Sequence, residues 1–116
     1  MNTIVKVIEI HEDGVIFSDG TKLTSDHERD CCENHYLDFD NIEIDDFDGL
    51  LFDLSNERFF NRIKNYGIEL VPNRGHSVRI PGYGYNNGYY SSELTLVLSG
   101  NINKKFDITN CQRITD

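Results

Sequence analysis

The chain has 116 residues, 38% of them hydrophobic, with 20 acidic residues against 11 basic ones and a formal net charge of −9. That length suits one domain, residues 1–116, able to bury a core without disulfides, and a surface so acidic repels phosphate backbones, which argues against direct nucleic-acid binding. Three cysteines, two of them adjacent, and a start MNTIVKVIEI without a secretion-like apolar core point to a reduced, cytoplasmic setting, and no apolar run approaches the roughly 20 residues that a bilayer-crossing helix needs, so no membrane partner is expected.

Residues 4–10 alternate weakly and are rich in β-branched side chains, and His11-Glu12-Asp13-Gly14 supplies turn chemistry before Val15-Ile16-Phe17, which predicts a hairpin. Asp19-Gly20 predicts a second turn, with residues 21–25 continuing a meander. Leu37 and Phe39 alternate with Asp38 and Asp40, then Ile42 and Ile44 with Glu43 and Asp45, so the phase slips at Asp40-Asn41 and a bulge or turn is expected there. Phe47, Leu50, Leu51 and Leu54 have helical spacing broken by Gly49. Ser55 then suits the N-cap of a helix over 56–65, with Phe59, Phe60 and Ile63 on its apolar face and Gly67 as its stop. Strands are expected again over 68–71, 77–80, 91–99 and 105–111, the third with Leu94, Leu96 and Leu98 in strict alternation. The sum is an α+β domain: an antiparallel, meander-like sheet with one main helix packed on it.

Three segments carry candidate chemistry. In DHERDCCENHYLDF, residues 26–39, a helical turn would set His27, Cys31 and His35 on one face at metal-ligand spacing. Cys31 or Cys32 beside His27 or His35 also has the residue types of an activated thiol. Against both, there is no C-x-x-C pair and Cys111 is remote in sequence, so a compact structural turn without a metal is the expectation. In PGYGYNNGYYS, residues 81–91, the glycines run G-x-G-x-x-x-G and lead into a strand, which is not a dinucleotide loop, and no cofactor is expected. Tyr83, Tyr85 and Tyr89 there suit recognition, since tyrosine offers area, a polar tip and few torsions; the alternative is that tyrosines at the loop simply alternate into and out of the core. Asp38, Asp40, Glu43, Asp45, Asp46 and Asp48 form a one-signed run, with no Lys or Arg between Asp30 and Glu57. Such a ridge can imitate a phosphate backbone; the alternative is an ordinary solvated face.

Three blocks carry a resemblance: His27-Glu28-Arg29-Asp30-Cys31-Cys32-Glu33, Asn87-Gly88-Tyr89-Tyr90-Ser91, and Phe106-Asp107-Ile108-Thr109-Asn110-Cys111-Gln112. The sequence resembles a family of short phage and bacterial proteins marked by H-x-x-D-C-C-E, N-G-Y-Y-S and D-I-x-x-C-Q blocks. That family has no established activity, so the resemblance brings no catalytic residue and no cofactor, but it implies a phage or mobile-element setting. The resulting expectation is a small acidic cytoplasmic binding protein of phage or prophage origin. It would block a host protein with a basic surface, such as a nucleic-acid-handling defence enzyme. The alternatives are a metal- or thiol-dependent enzyme, or a small-ligand binder, centred on His27, Cys31, Cys32 and His35.

Overall fold

A computed structural model describes residues 4–26, 34–55, 57–85 and 93–115. The described residues form twelve short strands and two 3-10 helices. The first half holds β1 (Ile4–Val5), β2 (Val7–His11), β3 (Gly14–Phe17), β4 (Lys22–Asp26), β5 (Asn34–Leu37), a 3-10 helix η1 (Ile44–Phe47) and β6 (Phe52–Asp53). The second half holds a 3-10 helix η2 (Glu57–Phe59), β7 (Phe60–Ile63), β8 (Gly67–Leu70), β9 (Val78–Tyr85), β10 (Thr95–Ser99), β11 (Lys104–Asp107) and β12 (Arg113–Thr115).

One sheet has the order β11-β10-β4-β3-β2 and is antiparallel throughout. The hairpins expected at 11–14 and at Asp19-Gly20 both form. The second is closed by bonds from Phe17 N to Thr21 O (2.8 Å) and from Gly20 N to Phe17 O (3.0 Å), and Gly20 takes φ 89°, the left-handed region that favours glycine. A second sheet has the order β12-β9-β8-β7, with β5 also paired to β9. Its pairings are antiparallel except that β12 runs parallel to β9. A small ladder joins β1 to β6. Buried side chains from all three sheets make one apolar cluster, in which Phe52 meets Phe17 and Phe47 edge-on, each at 6.1 Å.

The α+β expectation is wrong: the described chain is mostly β, and no main helix packs on the sheets. Asn56 lies outside the described residues; from Glu57 the chain instead makes η2 and then β7, which turns back into β8. Two features explain the difference. Asn, Phe and Tyr are poor helix formers, and a ten-residue helix gains little by itself, so tertiary pairing decides the outcome. Pairing with β8 also has strong local support. Asn65 adopts φ 61° at the turn, which Asn tolerates, and Gly67 lies so close to β9 that a Cβ would strike Ile80 O, with Gly82 N only 2.7 Å away. Phe59 and Phe60 are both buried nonetheless, because the chain changes from 3-10 turn to strand between them.

Asp19 ties the β3–β4 turn of the first sheet to the neighbouring β10–β11 turn. Its carboxylate accepts from Thr21 N and Thr21 Oγ1, both at 2.9 Å, and from Asn101 Nδ2 at 3.0 Å, while Ile102 N donates to Thr21 Oγ1 at 3.3 Å. Burial acts to raise the Asp19 pKa, but the bonds from Thr21 and Asn101 outweigh it and hold the carboxyl below the usual aspartate range. A depressed folded-state pKa gives stability that is fully present above the unfolded value and lost as pH falls through the folded one. Asp19→Ala is therefore expected to cost roughly 1–2 kcal/mol near neutral pH. That difference from the wild type should shrink as pH drops below about 3.9. Urea unfolding at a series of pH values measures it, and a difference that stays constant into acid would show that the carboxylate charge is not what matters.

Candidate functional site

The acidic segment leaves β5 and is pinned from inside. Phe39, Ile42 and Phe47 are buried, so the residues between them face outward. Asp38 N donates to Pro81 O at 2.8 Å, fixing the segment's start on β9, and Asp38 Oδ1 accepts from Asp40 N at 2.9 Å. This side chain-to-backbone bond makes the turn expected at Asp40-Asn41. Asp46 Oδ2 accepts from Glu43 N at 2.8 Å, which tightens the start of η1, and His76 Nε2 donates to Asp46 O at 2.9 Å. Asp40, Glu43, Asp45, Asp46 and Asp48 are exposed, and Asp38 is half-buried. The six acids thus share one short, well-anchored segment, with Asp38 and Asp46 doubling as turn-formers.

Three large aliphatic side chains stand exposed close to this segment: Ile8 (45%), Ile44 (46%) and Leu51 (48%). They flank an open groove of about 680 Å³, which Asp45 and Asp48 also line. Sequence reasoning did not find these residues. Ile44 reads as a core position by alternation and Leu51 by helical spacing. The only available hint is that Leu50 and Leu51 are neighbours, and in extended chain adjacent side chains point to opposite faces.

Tyr83 is half-buried on β9, two residues from the Pro81 that holds Asp38, and tilted against exposed Tyr36 of β5, with ring centroids 6.0 Å apart. Tyr85 closes β9, opposite Asn34 of β5 and Thr115 of β12. Tyr89 lies outside the described residues.

Of the alternative metal or thiol centre, His27, Cys31 and Cys32 lie outside the described residues. His35 is buried. Gln112 Nε2 donates to Thr109 O at 2.7 Å, which orients the amide so that Gln112 Oε1 accepts from His35 Nδ1 at 2.6 Å. The Nδ1 proton is therefore assigned by the neighbouring glutamine. Cys111 is buried, and burial pushes its thiol pKa up, which disfavours the thiolate. Among the described residues, no three His, Cys, Asp or Glu are grouped to hold a metal ion. No described helix is long and apolar enough to cross a membrane.

The second sheet brings together the neighbourhoods of all three sequence blocks. Asn34, the residue after the first block, is the ladder partner of Tyr85 at the end of β9, and β9 leads toward the second block. His35 bonds to Gln112 of the third block. Comparison with known families adds one finding: a domain of unknown function, DUF7448, matches residues 1–96. The chain belongs to the DUF7448 family. No curated protein and no solved structure matches it. The DUF7448 match contains the acidic segment, the aliphatic groove and His35, and ends within β10, so Gln112 and strands β11 and β12 lie beyond it.

Proposed function

We propose that this DUF7448 protein is a small acidic binding protein of phage or prophage origin, acting in the host cytoplasm by covering a basic surface of a host protein. A nucleic-acid-handling defence enzyme is a target of the right chemistry, because its channel already accommodates a line of negative charge. The observation that carries the reading is the anchored segment from Asp38 to Asp48. Five exposed acids and the half-buried Asp38 share one stretch of chain that is held by hydrogen bonds at Asp38 and Asp46 and contains no Lys or Arg. Fixed charges lose less conformational entropy on binding than charges on a loose tail, and a one-signed patch of this kind steers association with a basic surface.

The test uses a stoichiometric partner captured from host lysate with the intact protein, identified by mass spectrometry and then purified. Association should slow steeply as ionic strength rises through the range where the Debye length is about 8 Å. Replacing Asp40, Asp45 and Asp48 together with Asn, which leaves the turn-forming Asp38 and Asp46 in place, should slow association roughly tenfold or more, while dissociation changes far less. Nucleic acid should compete with the protein for its partner. A partner whose binding ignores salt, the Asn replacements and competing nucleic acid would reduce the segment to a solvated face.

A further inference from the structure

The groove beside the acidic segment has an origin in strand register. The β1–β6 ladder pairs Ile4 with Asp53 and Val5 with Phe52. Continued in the same register, it would set Lys6 against Leu51, Val7 against Leu50 and Ile8 against Gly49. The ladder stops instead, and those six residues line the groove between the two separating segments. Its floor is apolar, since Val7, Phe47 and Leu50 are buried, and its walls are the exposed Ile8, Ile44 and Leu51.

Among the described residues β2 is the last strand of its sheet, so one row of its main-chain groups faces away from β3. The pairing of β2 with β3 shifts between Val7 and Glu9, an irregularity that turns Ile8 out of simple alternation, and both Ile8 and Glu9 are exposed. Asp45 and Asp48 stand on the other side, and Lys6 is the one cation in the lining.

We propose that this groove receives an extended segment of a partner protein, carrying apolar residues alternating with Lys or Arg and laid as an added strand against β2. The inference rests on the binding-protein reading above and names the form of the partner. An extended occupant suits a site with an open strand edge on one side, because main-chain bonds then supply affinity and alternate side chains supply specificity. Charge selects among occupants. A cationic segment meets Asp45 and Asp48, whereas a second copy of this chain, with net charge −9, would bring two acidic rims together. The wide mouth and few convergent polar groups are also unlike a small-molecule site.

Two fluorescent ten-residue peptides test this against the intact protein, one alternating Val and Ile with Lys, the other with Glu in place of Lys. The Lys peptide should bind, slow hydrogen exchange at β2 amides, and lose at least about tenfold in affinity to the Ile44→Ser/Leu51→Ser variant. These two side chains are exposed, so the variant should fold, and its unfolding midpoint checks that. Methylating alternate peptide nitrogens should also abolish binding. The inference is overturned if the Lys peptide fails to bind, if the Glu peptide binds equally well, or if the double variant binds unchanged. It is overturned too if sedimentation shows a dimer that the double variant abolishes, which would assign the groove to a second copy. A captured partner that depends on Asp40, Asp45 and Asp48 yet ignores Ile44→Ser/Leu51→Ser would overturn the groove inference and leave the proposed function standing.

Discussion

Phe59→Ala is expected to lower stability by about 3–5 kcal/mol, the range for emptying a fully buried aromatic site. Phe59 is 1% exposed, and its ring lies 4.9 Å from Phe60 and 5.7 Å from Phe106, centroid to centroid, while Phe60 and Phe106 are 5.2 Å apart. This triangle ties η2 and β7, at the edge of the second sheet, to β11 of the first, so little nearby can relax into the space. Urea unfolding monitored by circular dichroism gives the difference directly. Arg62→Ala is the control: the guanidinium sits 5.0 Å from the centre of the Phe60 ring but is exposed, and its loss should cost less than about 1 kcal/mol. If Phe59→Ala behaved like Arg62→Ala, the three-ring cluster would not be part of the stable core.

Gly84→Ala should be nearly as damaging, for a different reason. Gly84 pairs with His35 of β5 and with Ile114 of β12, and the His35–Gln112 bond crosses directly over its α-carbon. A methyl group there would collide with His35 Nδ1, and would come within 2.6 Å of Gln112 Oε1 and 2.8 Å of His35 Cε1. Either the ladder shifts or the buried polar pair separates. Overpacking and loss of a buried hydrogen bond each cost about 1–3 kcal/mol, so about 3 kcal/mol in total is expected. A double-mutant cycle isolates the cause. In a His35→Ala background the collision is largely removed, and Gly84→Ala should then cost less than about half as much. Equal costs in the two backgrounds would show that the contact with His35 is not the cause.

Much of the sheet structure is readable in the sequence where the signal is local. Leu94, Leu96 and Leu98 alternate and are all buried, on and just before β10. Asp19-Gly20 makes its turn, and the phase slip at Asp40-Asn41 is a turn with Phe39 and Ile42 buried on either side. The stretch 56–65 misleads because paired phenylalanines followed by an aliphatic residue fit a helix face and also fit a turn entering a strand. Only the partner strands Gly67–Leu70 and Val78–Tyr85 distinguish them. The acidic segment is visible because its charges are consecutive in sequence. The groove is not, because its walls are contributed by Ile8 on one side and by Ile44 and Leu51 on the other, and only the early end of the β1–β6 ladder separates them. The His35–Gln112 bond, linking residues 77 apart, is equally beyond local pattern.

That same spacing bears on how the protein comes into being at the ribosome. Asn101 and Ile102 reach back to Asp19 and Thr21 across 82 and 81 residues, and β12 lies against β9 only through residues 113–115. An emerging chain can form the hairpins of β2, β3 and β4 early, but β10 cannot take its place beside β4 until residues 95–99 have been made, nor Gln112 its place beside His35 until some 77 residues after that histidine have followed. Topologies dominated by such distant closures fold in milliseconds to seconds rather than microseconds. During that interval the β4 and β9 edges are unpaired, and nascent chains held close together on one message would be most exposed to sticking to one another. The mutual repulsion of chains with nine excess negative charges is a safeguard suited to that interval.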